Sequence, residues 1–370
     1  PGPAGRWIAR TLTDPYVPIP GDRLGVSNLN VGYVVAFRLL PQIIFFSAII
    51  SLLYRLHVIQ PIVRVFAKIF RSTMRISGAE AMAGAANIFV GIESAIAIKP
   101  FLEKMTRSEL CAILSSCFGS IASTVLALYA GFLRPTFPAI TGHLMSASIL
   151  TIPACFVLAK ILVPEVGEPE TLGGLPPAVE AAEGEQQSLM DSLIVGALDG
   201  VKMAVGIAAV LIAILGLVAL VNDIIFGNLA NVAGVFKYIT VENILGAIFL
   251  PLTFLTGVSL EWQELWTSSV LIGQRLLLTA VPPYQQLARL SAAGEISDRA
   301  MLIVSYTLCG FAHIPSVGIF AGGLSGLIPD RRGDVSEIVW KALWAGTLAT
   351  LMTGCIAGIF FYEGAAVLGR

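Results

Sequence analysis

Long apolar runs alternate with short charged turns along this chain, and several of the runs carry a polar interruption near their middle. Residues 32–56 are long enough to span a bilayer, since about 20 apolar residues cover its hydrocarbon. Arg38 and Pro41 near their start mark a bend. In the next run Ile59, Ile62, Val63, Phe66, Ile69 and Phe70 recur at helical spacing, with Arg64, Lys68 and Arg71 between them. That pattern predicts an amphipathic helix lying on the membrane surface. With Arg55 and Arg75 its basic cluster marks the cytoplasmic side. The segment 106–132 is apolar but holds Gly119-Ser120-Ile121-Ala122-Ser123-Thr124, small and hydroxyl residues that suit either close packing or an unwound turn. Residues 136–163 predict a further span with Pro153 inside it.

The second half repeats this layout. Residues 188–203, with Asp191, Asp199 and Lys202, read as an interfacial segment, and 204–225 as a separate span. Residues 239–258 are apolar around Pro251. Residues 260–290 begin amphipathically and end on Thr279-Ala280-Val281-Pro282-Pro283, where the double proline is expected to break any helix. Residues 298–327 form a span interrupted at Gly310-Phe311-Ala312-His313-Ile314-Pro315-Ser316. Residues 329–334 are a tight polar turn, and 339–361 the last span. Its Gly354 and Gly358 are either a packing face or the ordinary glycine of membrane helices.

The segment 84–105 organises the rest. It is small and apolar up to Asn87, then meets Gly91, Glu93 and Ser94 before Lys99-Pro100. A charge near the bilayer centre costs about 2.5 kcal/mol or more. Two short helices meeting at Gly91–Ser94 avoid that cost by forming a hairpin that stops partway through the membrane. Irregular backbone at that depth survives only beside protein or a wet cavity, so the tip reads as a binding site.

Composition agrees with this reading. Of 370 residues 56% are hydrophobic and 13% charged, with mean hydropathy +0.83. Soluble domains carry about 25% charged residues. The net charge of −1 provides no basic face for nucleic acid. Cys111, Cys117, Cys155, Cys309 and Cys355 lie in apolar stretches without CxxC spacing and read as buried residues. The three histidines are too far apart for a zinc motif. The first residues lack a signal-peptide core. Residues 164–187 are rich in Pro, Gly and Glu, without a basic residue, and read as a flexible linker.

The expected fold is an all-α polytopic membrane protein, an inverted-repeat secondary transporter with two re-entrant hairpins and broken transmembrane helices. The expected divisions are a polar segment (1–27), a scaffold helix with the interfacial helix (28–76), a first transport half (77–163), the acidic linker (164–187) and a second transport half (188–363). In such repeats substrate and coupling ion bind near the midplane on discontinuous helices.

Five stretches carry a family resemblance: SGAEAMAGAANIFVG (77–91), KPFLEKMTRSEL (99–110), GSIASTVLALYAG (119–131), TLCGFA (307–312), and PDRRGD with AGTLATLMTGCIAG (329–334 and 345–358). In this order they resemble the concentrative nucleoside transporters, over nearly all of 32–361. The resemblance implies sodium- or proton-coupled symport of a nucleoside-like small polar solute, a homotrimer in lipid and a multi-pass protein of the plasma or inner membrane. It implies no catalysis and no cofactor beyond the coupling ion, expected to be sodium. In bacterial-type members two further helices precede the position of residue 32. The implied sodium positions are Asn87, Val90, Ser120 and Ile121, whose amide, hydroxyl and carbonyl oxygens suit a hard cation.

The implied substrate positions depart from the family pattern. The family's first tip reads Gly-Gln-Thr/Ser-Glu-Ala-Pro; here it reads Gly91-Ile92-Glu93-Ser94-Ala95-Ile96. The second tip, Asn-Glu-Phe in the family, is Thr279-Ala280-Val281, so the carboxylate that holds ribose hydroxyls is replaced by Ala280. His313 stands where the family has Asn. The substrate set is therefore Glu93, Ser94, Gln274, Thr279, Phe311, His313 and Ser316. His313 is a substrate donor, a group that titrates near neutral pH, or an interior histidine bonded to a neighbouring carbonyl. A non-transporting solute sensor or membrane assembly protein on the same fold is the competing class: the altered tips favour it and the intact ion positions oppose it. An intramembrane enzyme is the weakest, with only Glu93 and His313 as a pair.

Overall fold

The computed structural model describes residues 16–18, 28–30, 40–56, 58–89, 91, 94–95, 98–172, 188–221, 240–361 and 369. Among them the chain is helical apart from one antiparallel ribbon, β1 (Tyr16–Pro18) with β2 (Asn28–Asn30), in which Val17 opposes Leu29. The ribbon lies at the N-terminal end, and the other described elements are helices, as the all-α expectation has it. The chain divides into two compact units, Pro1–Leu56 with Gln187–Ala209, and His57–Gln186 with Val210–Arg370.

In the first unit, α1 (Leu40–Arg55) is packed closely by the early part of α8 (Leu189–Leu220). A side chain at Gly196 would run into Ser51 and the Ser47 carbonyl, and Ser51 Oγ donates to the Ser192 carbonyl at 2.8 Å. Small residues allow this approach. Helix α8 corrects the expected division at residue 203. It is one helix of 32 residues, about 48 Å long. No proline interrupts it, and Asp199 and Lys202 change its polarity without breaking its backbone.

The second unit starts with α2 (Ile59–Met74), whose Val63 and Phe70 are buried while Arg64 and Lys68 are exposed. Helix α3 (Gly78–Asn87) begins at a capping box: Ser77 Oγ accepts from the Glu80 N–H, and Glu80 accepts from the Ser77 N–H at 3.0 Å. Almost every α3 residue is small and buried, which lets the Phe156 ring lie against Gly84. A four-residue turn, α4 (Lys99–Leu102), follows. Then come α5 (Arg107–Gly119), α6 (Ser123–Leu133) and α7 (Ile140–Leu162). Lys160 near the end of α7 pairs with Glu80 at 2.7 Å and Glu165 at 3.0 Å. Glu165 also accepts from Thr106, the cap of α5, at 2.9 Å. The starts of α3 and α5 are thereby tied to the end of α7. Partial burial pushes the Glu165 carboxyl up, but hydrogen bonds from Lys160 and Thr106 hold it below the usual carboxylate range.

Helix α9 (Val241–Leu255) carries Pro251 and packs on α10 (Trp262–Leu278), where a Cβ at Gly273 would lie 2.7 Å from the Leu245 carbonyl. Helix α11 (Val281–Ala293) follows after two residues. Pro282 and Pro283 do not break a helix here; they open α11. At a helix start the missing N–H has no intrahelical partner to lose and the fixed φ suits the first turn. The break falls instead at Thr279, at φ 66° and ψ 177°. The chain continues through α12 (Asp298–Leu308), α13 (Ile314–Leu327), a single 3-10 turn (Pro329–Arg331) and α14 (Arg332–Ile359). Among the described residues, Ile140–Leu162 and Pro329–Ile359 are long and apolar enough to cross a membrane.

Candidate functional site

Two helix breaks lie against one another beside α14. The first separates α5 from α6 at Ser120–Ala122, and the second separates α12 from α13 at Cys309–His313. A Cβ at Gly310 would stand 2.7 Å from the Gly119 carbonyl and 2.9 Å from Thr350 of α14. One at Gly346 of α14 would meet Phe118 and, at 3.0 Å, the Gly119 N–H. Only hydrogens fit at these positions, so glycine brings the backbones of both breaks to the same helix.

The end of α3 docks on the first break. Asn87 is fully buried. Its Nδ2 donates to Ser116 Oγ at 2.6 Å and to Cys117 Sγ at 3.3 Å. Its Oδ1 accepts from Ser94 Oγ at 3.0 Å. The Ser120 N–H bonds the Ser116 carbonyl at 3.0 Å, and the Ser123 N–H bonds the Phe89 carbonyl at 3.1 Å. Ser120 is extended, at φ −88° and ψ 170°. Asn87, Ser94 and Ser116 thus share one side-chain hydrogen-bond network, and Ser120 joins it through its N–H on the Ser116 carbonyl, where the backbone unwinds. Sequence reasoning missed Ser116 and Cys117; their signal is position, one turn ahead of Ser120. Ile121 is buried in the break. Val90 and Glu93 lie outside the described residues.

A second group forms at the other break. His313 caps α13: its Nδ1 accepts from the Ser316 N–H at 3.2 Å and lies 2.9 Å from Ser316 Oγ. Phe311 sets its ring edge-on to His313 at 6.0 Å and to Phe320 at 6.3 Å. Phe320 in turn packs edge-on against Phe118 of α5 at 4.9 Å. Phe311, His313 and Ser316 are therefore one cluster, joined to the first break through aromatic rings. Gln274 and Thr279, both nearly buried, lie at the end of α10. Thr279 is a β-branched residue in backbone that glycine normally occupies, a strain of about 1–3 kcal/mol that concentrates at functional sites. Among the described residues no cluster of three or more metal-binding side chains occurs.

Residues 143–358 match a family model described as the Na+ dependent nucleoside transporter C-terminus, and residues 36–136 match one described as nucleoside recognition. An uncharacterized transporter of Haemophilus influenzae is 36% identical over 343 residues, covering 91% of this chain and 79% of its own. The chain belongs to the concentrative nucleoside transporter family. Solute carrier family 28 member 3 of Mus musculus is 35% identical over 355 residues, and the chain spans 49% of its length. The solved structure of CNTnw in an inward-facing substrate-bound state superposes with a TM-score of 0.79 at 34% identity, covering 89% of this chain and 77% of that one. The protein is accordingly an integral membrane transporter and not an enzyme.

Proposed function

We propose that this protein is a cation-coupled symporter of nucleosides or nucleoside-like polar solutes, with sodium as the coupling ion. The observation that carries the proposal is the hydrogen bond from Ser94 to Asn87. It joins a residue of the expected substrate tip to a residue of the expected ion position, so an ion that draws on the Asn87 oxygen also fixes the tip. A coupling of this kind, worth typically 1–3 kcal/mol, makes each ligand tighten the other by the same factor.

In this reading Asn87 and Ser120 supply side-chain oxygens to sodium, and Val90 and Ile121 supply carbonyls. Glu93, Ser94, Gln274 and Thr279 hold the solute from the two tips. Phe311 offers a ring face to a nucleobase, while His313 and Ser316 shape the wall beside it. Residues 91–94 and 279–283 are the tips of two re-entrant hairpins in an inverted repeat. The protein works as a homotrimer in the plasma or inner membrane. The relatives' names support the solute class and the coupling ion, and the paired helix breaks support the placement of the two sites. The test is sodium-dependent uptake and thermal stabilisation, with Asn87→Ala and Ser120→Ala each expected to weaken both. Two mutants with wild-type sodium dependence, or a wild type indifferent to sodium, would refute the proposal.

A further inference from the structure

Arg275 lies on α10, one residue from the candidate solute residue Gln274, and is only 1% exposed. It makes no ion pair with a described carboxylate; its Nη1 donates to the Thr307 carbonyl and, at 2.9 Å, to Thr350 Oγ1. Its Nε has no hydrogen-bond partner among the described residues. A buried cation without a counter-charge is costly, so something else must stabilise it here.

The end of α12 supplies that partner. The last four carbonyls of a helix lack intrahelical donors and carry its negative dipole end. In α12 these belong to Ser305, Tyr306, Thr307 and Leu308, and each is satisfied. Tyr284 Oη donates to Ser305 at 2.6 Å, the Cys309 N–H to Tyr306 at 3.1 Å and the Gly310 N–H to Leu308 at 2.9 Å; Arg275 takes Thr307. At the first break the accounting differs. There the Phe118 carbonyl of α5 accepts no hydrogen bond from a described residue. The two breaks share a helix-end geometry, but among the described residues only the second has a side-chain cation on one of its carbonyls, that of Thr307.

We propose that Arg275 is the built-in cation of the second break: its guanidinium bridges the Thr307 carbonyl at the end of α12 and Thr350 of α14, so that only the first break receives a mobile ion. This rests on the sodium reading for the first break. Arg275 then acts as a positioning residue that holds α10, and with it the Thr279 tip, on α12 and α14 without an ion.

Thermal unfolding of the full chain purified in detergent tests the idea, comparing wild type with Arg275→Ala and Arg275→Lys in sodium or choline chloride. Arg275→Ala is expected to unfold at least about 5 °C below wild type. Millimolar methylguanidinium should restore most of that loss, and neutral methylurea none. Arg275→Lys should keep most of the stability, and sodium should stabilise wild type with a Hill coefficient of about 1. An unchanged Arg275→Ala, or equal rescue by methylurea, overturns the cation role; a Hill coefficient of about 2 overturns the single mobile ion. If Arg275→Ala does not fold, a stable Arg275→Lys beside an unstable Arg275→Met supports the role, and an Arg275→Met as stable as wild type overturns it. Methylguanidinium rescue in a protein indifferent to sodium would remove the sodium reading and leave the built-in cation standing.

Discussion

Gly310→Ala tests the contact between the two helix breaks. The added Cβ would lie 2.7 Å from the Gly119 carbonyl oxygen, 2.9 Å from Thr350 Cγ2 and 3.1 Å from the Phe118 carbonyl oxygen, where ordinary contact begins at 3.4 Å. Two of these neighbours are backbone, which cannot rotate aside, so the breaks must part by several tenths of an ångström. Overpacking of this kind costs about 1–3 kcal/mol. Alanine restricts the unfolded chain and returns about 0.4–1 kcal/mol. The net loss is about 1–2 kcal/mol. Gly318→Ala in α13 is the matched control, because no described residue lies within 4 Å of its added Cβ. There alanine gains up to about 1 kcal/mol of helix propensity. For a chain of this size, 1 kcal/mol shifts the melting temperature by about 1–2 °C. Side by side in detergent, Gly310→Ala should therefore melt about 3–5 °C below Gly318→Ala. Only Gly310→Ala should also weaken stabilisation by sodium, since the Gly119 carbonyl it displaces leads directly into Ser120. Equal melting temperatures for the two variants, or a Gly310→Ala more stable than wild type, would refute the close packing of the breaks.

Two other perturbations bear on different parts of the molecule. Lys160→Met strands Glu80, whose side chain is 1% exposed; breaking a buried pair costs about 3–5 kcal/mol, and the 26% exposure of Lys160 places this one at the lower end. The double variant Glu80→Gln/Lys160→Met should recover most of the loss in unfolding experiments, and a double as unstable as the single would show that the pair is not what anchors α3. Ala280→Glu restores a carboxylate beside the strained Thr279 and should shift preference toward ribonucleosides over deoxynucleosides by ten-fold or more, given about 1.5–3 kcal/mol for a charged hydrogen bond. Competition uptake with matched pairs measures it, and a wild type that already discriminates by that margin would show that another group holds the diol.

The sequence alone located two of the helix breaks and the family. Polar and small residues inside apolar runs at Gly119–Ser120 and Gly310–Ser316 read correctly as interruptions, because losing helical backbone is a local property of the residues concerned. The amphipathic α2 was legible for the same reason, its period being written in side chains three and four apart. Where a local signal had two meanings, tertiary contact chose between them. Pro282 and Pro283 look like a break in one dimension and are a helix start in three, since Thr279 had already turned the chain. Gly354 and Gly358 proved to be a packing face only because Ile303 and Thr307 of α12 lie against them. The bond between Asn87 and Ser116, 29 residues apart, and that between Arg275 and Thr307, 32 apart, have no signature in spacing. Helix periodicity relates residues one turn apart, whereas these partners meet only when separate helices dock and their unpaired carbonyls and amides must find donors and acceptors away from water.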